Sequence, residues 1–349
     1  MAWTVGEFVH HRWPAQYAAA HSAQAQSGGH VRDSNAGQLH QRHQGERDAD
    51  LRSLAPASGV MNPVLTAADV TDYGNVDFVA DPFMFVSGTG NWHMFFEVFN
   101  RNREPTAAIG HAYSNDAGQS WQYTGIVLQT EHHLAFPYVF QANDAYYMIP
   151  EQWNRQSPAS ITLYRTDSLP NGWSPISVIT TPDQFLSDCV VYRWNDRWWA
   201  LAGSDNERYE LFGYYSSELE TNEWHSHVEN PIISGRPAAA RPGGRPIVSE
   251  EDLIVFFQDC VAQYGDSVRA FEVETLSPTA YRDQELSWSP ILQSSNKCIG
   301  WNSGSMHHID PWWTGNGWRC AVDGNIGFGK QFFSRDHWAI GIYETPLQS

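Results

Sequence analysis

Lysine is almost absent from this chain. Only Lys297 and Lys330 occur in 349 residues, and Lys plus Arg reach 21 against 39 Asp plus Glu. The formal net charge of −18 repels phosphate backbones and anionic headgroups, which argues against nucleic acid and membrane surfaces as partners. Cysteine is scarce too. Cys189, Cys260, Cys298 and Cys320 stand far apart with no C-x-x-C pair, so the spacing suggests neither a zinc site nor a disulfide framework. No apolar run is long enough to span a bilayer, and the N-terminal stretch lacks the basic start and continuous apolar core of a signal peptide. The sequence reads as that of a cytoplasmic protein with reduced thiols.

Aromatics are plentiful, at 14% of residues with 16 Trp. Tryptophan at that density fits a repeat with one Trp per unit, or surfaces that stack on sugars, and the first accounts for most of them. Residues 1–18 hold a short strand pattern, Trp3–Val9, expected to close the fold beside Trp338–Tyr343. Residues 19–57 are rich in Gln, His, Ser, Gly and Ala, nearly free of aromatics, and unable to bury a core. Their histidines, with His11 upstream, are too irregularly spaced for a metal tract, so the stretch reads as a polar loop or disordered insertion. From residue 58 to 349 the chain is one compact domain.

That domain repeats. Each unit is an apolar strand, a tight turn and a second apolar strand that ends on or beside a polar group. Val79-Ala80-Asp81-Pro82-Phe83 leads to Phe96-Glu97, Phe136-Pro137-Tyr138 to Pro150-Glu151, and Ser187-Asp188-Cys189 to Ser204-Asp205. Gly244-Arg245-Pro246 leads to Gln258-Asp259, and His307-His308-Ile309-Asp310 to Val322-Asp323. The starts Asp81, Pro137 and Asp188 lie 56 and 51 residues apart. A turn followed by Trp121, Trp173 or Trp224 runs in phase. Its first copy, Ser114-Asn115-Asp116-Ala117-Gly118-Gln119-Ser120-Trp121, has the S-x-D-x-G-x-x-W form of an Asp-box, a structural turn. Five units of this length and no competing helical periodicity predict an all-β, five-bladed β-propeller with four-stranded blades. The alternative is an irregular β-sandwich.

In a propeller the first strand of every blade lines the central channel, so equivalent positions converge. Asp81 and Asp188 then share a site, with Glu97, Glu151 and Asp259 near the same rim and Arg241, Arg245, His307 and His308 supplied by blades four and five. Carboxylates with Arg and His around one channel are the ingredients of glycoside chemistry, in which one acid activates water, another protonates the leaving oxygen and a neighbour tunes the donor. Asp205 and Asp323 read as turn residues. Trp301, Trp312 and Trp313 suit either a sugar-stacking wall or core packing. No cofactor is called for; the one ion such a channel invites is a cation such as calcium.

The run Val79–Phe83, Phe96-Glu97, His133–Phe140, Met148–Glu151, Gln258-Asp259-Cys260 and Tyr264-Gly265 resembles the propeller-like N-terminal region of plant glucosamine inositolphosphorylceramide transferases and its stand-alone microbial relatives. More remotely it is similar to the five-bladed glycosidases of family 43 and their furanosidase-like kin. That resemblance implies Asp81 as general base, with an acid and a modulating carboxylate from later blades. The usual second acid opens an inner strand, where blade two has Phe136-Pro137, so Glu151 and Asp188 take the remaining roles. The plant proteins carry a separate glycosyltransferase module that this sequence lacks, so transferase activity is not implied. The expected function is an inverting glycoside hydrolase acting on a glycan or glycoconjugate. Its rivals are a non-catalytic carbohydrate-binding propeller and an enzyme of specialised metabolism using the same acids on a non-sugar substrate.

Overall fold

A computed structural model of the protein describes residues 51–154, 158–204, 208–295, 299–327 and 337–346. The described residues contain no α-helix, and none of their helical turns is long and apolar enough to cross a membrane. They form five antiparallel sheets, one after another along the chain, each with an inner strand at the channel. The fold is a five-bladed β-propeller.

Strand β1 (Ala55–Pro56) precedes the ring. Blade one is β2 (Phe78–Val86), β3 (Trp92–Phe99), β4 (Ala107–Ser114) and β5 (Gln122–Leu128). Blade two is β6 (His133–Ala142), β7 (Ala145–Trp153), β8 (Ile161–Thr166) and β9 (Ser174–Thr180). Blade three is β10 (Leu186–Trp194), β11 (Arg197–Ser204), β12 (Leu211–Ser216) and β13 (His225–Ser226). These inner strands read as continuous apolar runs because both faces are covered by neighbouring blades.

Blade four departs from the repeat. Its inner strand is split into β14 (Arg241–Pro242) and β15 (Ile247–Val248), which pair with opposite ends of one edge of β16 (Leu253–Asp259). Outside β17 (Ser267–Ser277) the edge is divided between β18 (Ala280–Glu285) and β19 (Leu292–Gln293). The break falls at Gly243-Gly244-Arg245-Pro246, where Pro246 has no N–H to give the ladder. Gly244, at φ 146°, makes a parallel bridge to Ile309. A Cβ there would stand 1.7 Å from the Ile309 carbonyl oxygen. Gly244→Ala is therefore expected to cost at least about 1–3 kcal/mol, seen as a lowered Tm; an unchanged Tm would contradict this.

Blade five is β20 (Ile309–Trp313), β21 (Trp318–Asn325) and β22 (Trp338–Glu344), and its outermost strand is β1. A segment that precedes blade one in the chain thus completes blade five and closes the ring. The closing segment reaches the expected partner, Trp338–Tyr343, but it is residues 55–65. Ala55 pairs Glu344, Pro56 pairs Tyr343, and Leu65 bridges Ile340. The Asn62 side-chain amide donates to the Ile342 carbonyl while its oxygen accepts the Ile342 N–H, both at 2.8 Å. Trp3–Val9 lies outside the described residues. Residues 51–57, assigned to the polar insertion, join blade five instead, with Leu51 and Ala57 buried.

The Trp markers fill space between or beside blades. Trp173 meets Phe95 edge-on at 5.7 Å, joining blades two and one, and Trp121 donates to the Gly118 carbonyl inside its own turn. In that turn Asp116 accepts the backbone N–H groups of Gln119 and Ser120.

Candidate active site

Three blades carry the same defect in the same place. In the first, Ala80 pairs Glu97 and Phe83 pairs Phe95, so Asp81 and Pro82 oppose Phe96 alone. Ala135 pairs Glu151 while Tyr138 pairs Ile149, and Ser187 pairs Gly203 while Val190 pairs Leu201. Each is a β-bulge, and its first residue lies in the left-handed region: Asp81 at φ 52°, Phe136 at 43° and Asp188 at 52°. Side-chain-bearing residues pay for that backbone, and such strain collects where a side chain must be aimed. Two of the three aimed side chains are carboxylates.

Asp81 is buried, and its backbone N–H donates to Asp323 Oδ2 at 3.1 Å. Asp323 Oδ1 accepts His307 Nδ1 at 2.8 Å and the backbone N–H groups of His307 and His308. One carboxylate of blade five therefore holds both histidines and the Asp81 bulge. His307 Nε2 lies 3.6 Å and His308 Nδ1 3.8 Å from Asp81 Oδ1, which accepts no hydrogen bond from either. Burial alone would push the His307 imidazole down, but Asp323 bonded to it and Asp81 beside it outweigh burial and raise it to about 9. Burial lowers His308 to about 4. Burial raises the Asp81 carboxyl well above the ordinary range; His307 opposes this, and the charges of Asp188, Asp323 and Glu97 add to it.

Facing this group is a second one. Arg241 Nε donates to Asp188 Oδ2, which also takes the Gln258 side-chain amide at 2.8 Å. The Asp188 N–H donates to Glu151 Oε2 at 3.1 Å, and the Arg241 guanidinium stands 3.5 Å from that oxygen. Where blades one and two have Glu97 and Glu151, blade three has Gly203, and the Arg241 backbone passes over it. The guanidinium lies over the Tyr264 ring at 5.2 Å, and that exposed ring in turn meets His307 at 5.5 Å. Tyr264 thus spans the two groups at the rim.

So Asp81, Glu151, Asp188, Arg241, His307 and His308 come together, as expected. Others do not. Arg245 is buried deeper, donating to Asp310 at 2.5 Å and to the carbonyls of Val139 and Met84. It plugs the channel rather than gripping a substrate. Asp259 accepts from Arg269, which also holds Glu285. Trp301 is half-buried, its ring packed over Gly324 and Gly341 against blade five's core rather than turned to the channel acids. Glu97 sits near the rim with His133 at 3.3 Å. Asp205 lies outside the described residues. Asp323, a turn residue by its sequence pattern, organises the site; its place near the end of a second strand matches that of Glu97 and Glu151. Gln258 carried no signal beyond its neighbour Asp259.

Asp81, His307 and Asp323 offer ligand atoms within 4.8 Å of one another. Calcium, however, takes six to eight oxygen ligands, and here one of three donors is a histidine nitrogen, with Nδ1 of that ring bonded to Asp323. These residues do not fit that ion, and the imidazolium supplies the positive charge itself.

Comparisons with known proteins agree with the geometry. The family described as glucosamine inositolphosphorylceramide transferase 1, N-terminal, matches residues 44–325. The protein named glucosamine inositolphosphorylceramide transferase 1 from Arabidopsis thaliana is 36% identical over 273 residues, covering 74% of this chain and 34% of its own. The chain thus spans about a third of that relative's length. Among solved structures, a thermostable family-43 glycoside hydrolase has a TM-score of 0.55 at 15% identity, covering 83% of this chain and 97% of its own. The catalytic domain of a Coprinopsis cinerea family-62 α-L-arabinofuranosidase has a TM-score of 0.56 at 13% identity, covering 79% and 93%. At those identities the structures share the fold.

Proposed function

Because the chain belongs to the family of glucosamine inositolphosphorylceramide transferase 1 N-terminal domains, we propose that its channel is a glycan-processing site that cleaves a glycosidic bond with inversion. The observation that carries this reading is Asp81 Oδ1, a buried carboxylate oxygen with no hydrogen-bond partner, held in place by a strained bulge. A raised pKa makes the ionised carboxylate a stronger base. Asp81 takes a proton from a water as that water attacks the anomeric carbon. Glu151, the less buried acid, placed by the Asp188 N–H and the Arg241 guanidinium, gives a proton to the leaving oxygen. Asp188, tied to Arg241 and Gln258, modulates Glu151, and the His307 imidazolium steadies the Asp81 charge. The substrate is a glycan or glycoconjugate.

One observation favours a second reading, a carbohydrate-binding propeller without turnover. Glu97, Glu151, Asp188, Asp259 and Asp323 all meet Arg or His partners. Asp81, which stands 3.6 and 3.8 Å from His307 and His308 without a hydrogen bond at Oδ1, separates the two readings.

The pH dependence of kcat/KM tests the catalytic one. Below the raised pKa of Asp81 the carboxyl keeps its proton and cannot act as base, so the acid limb falls above the usual carboxylate value of about 4. On the alkaline side rate is lost as Glu151 gives up the proton it must donate, and loss of the His307 charge near 9 adds a further fall. Asp323→Asn removes the main charge raising His307 and moves that part of the alkaline limb down. An acid limb at an ordinary carboxylate value, with an alkaline limb unmoved by Asp323→Asn, would overturn these assignments.

A further inference from the structure

Away from the channel, a cleft of about 330 Å³ opens between blade one and the turn before Trp173 in blade two. His93, His111, Tyr113 and Thr124 line one side, with Ile126 and Asn171 among the remainder. His93 Nδ1 and His111 Nε2 are 3.0 Å apart, and the ring centroids are 5.2 Å apart, so the two imidazoles stand nearly end to end. His111 Nδ1 is 2.6 Å from Thr124 Oγ1, and that hydroxyl donates to the His111 carbonyl at 3.2 Å. One proton order satisfies all three contacts. Thr124 O–H donates to the carbonyl, His111 Nδ1–H to Thr124, and His93 Nδ1–H to His111 Nε2. That order fixes the His93 tautomer and leaves its Nε2 as an acceptor in the cleft. Strand β5 breaks register twice along this wall, between Ile109 and Gly110 and between His111 and Ala112, a device that re-aims side chains beside sites.

We propose that this cleft is a second binding site, separate from the channel, for a neutral hydroxyl-rich ligand, a sugar residue whose hydroxyl donates to His93 Nε2. None of the lining residues carries a carboxylate, lysine or arginine. Burial lowers His93 and brings His111 down to about 3, so both rings are uncharged at neutral pH and offer nothing to an anion. A metal ion is disfavoured because the facing nitrogens point at each other, not at a common third point. Apolar Ile126, Val127 and Pro170 beside a few fixed polar groups give the mixed lining of a small-ligand pocket. The site is independent of the chemistry assigned to the channel.

The test is nitrogen-15 NMR of the histidine rings in the full chain, titrated with methyl glucoside, methyl mannoside and methyl galactoside. The free protein is expected to show His93 protonated at Nδ1. At least one glycoside is expected to give saturable shifts at His93 and at its neighbour His111; affinity read at His111 is expected to weaken about tenfold (a 1.4 kcal/mol loss) in His93→Phe, and the shift at His93 to be kept in Asp81→Asn. Asn171→Ala, at an exposed turn position, checks the site without disturbing the ring pair and is expected to weaken binding as well. Protonation of His93 at Nε2, no saturable shift with any glycoside, or binding by the His93 and Asn171 variants as tight as the parent's would overturn the proposal.

Discussion

Asp81→Asn is expected to lower turnover of a cleavable glycoside by about 10²–10⁴-fold, the usual worth of a positioned general base, while the ring stays folded and gains heat resistance at neutral pH. The two effects share a cause. Asparagine keeps the shape of the side chain, so the bulge and the Asp323 contact to its N–H persist, but the amide has no carboxylate to accept a proton. Stability moves the other way because of linkage. Asp81 is raised on folding, so above the unfolded carboxylate value of about 3.9 the native state binds more protons than the unfolded one. Its contribution to stability therefore falls as pH rises toward the native pKa. Removing the group raises Tm near pH 7 and changes little near pH 3. Thermal melts of both proteins at the two pH values, beside rate assays, read this directly. A lowered Tm at pH 7 would mean that Asp81 is a structural residue. His307 has the opposite sense: raised to about 9, it stabilises fully below about 6.5 and loses that contribution as pH climbs through 9.

Arg245→Met should produce the largest stability loss, about 3–5 kcal/mol, the cost of stranding one partner of a buried ion pair. Arg245 ties four blades at once. Its Nε holds Asp310 of blade five, its Nη atoms hold the Val139 and Met84 carbonyls of blades two and one, and it belongs to blade four itself. Asp310 Oδ2 also takes the Met84 N–H at 2.6 Å. Burial already lifts Asp310 to about 6 against the pull of Arg245, so without the guanidinium that carboxyl is left to take up a proton. Replacing both, as Arg245→Met with Asp310→Leu, removes the stranded charge and is expected to recover part of the loss. Denaturant midpoints for the single and double variants measure it. A single variant as stable as the parent would show that the plug contributes little.

The ring could be read from residues because three of the five inner strands carry chemistry that repeats: Asp81-Pro82, Phe136-Pro137 and Asp188-Cys189 all occupy the same bulge. Blade count and channel-lining positions followed from that phase. Closure did not. The closing strand has two residues, Ala55 and Pro56, too short for any alternation to show, whereas Trp3–Val9 had the pattern and lies outside the described residues. The break in blade four was hidden because Ile247-Val248 still looks like the middle of a strand.

At the site, sequence phase gave position around the ring but not depth along the channel. Arg241 and Arg245 differ by four residues, and the split of the inner strand sends one to the rim and the other to the plug. Asp323 was undervalued because its partners, Asp81 and His307, are 242 and 16 positions away. Trp301 is a packing residue because Gly324 and Gly341 leave room over blade five, and neither glycine is near it in the chain.

The most direct test of the central claim is proton NMR of the anomeric signals while the protein acts on a panel of glycosides, furanosides included. The account predicts that at least one substrate is consumed, that the first product has the inverted configuration, and that Asp81→Asn and Glu151→Gln both stop it. Glycosides that bind yet are never consumed would contradict it and leave a propeller that only holds its sugar.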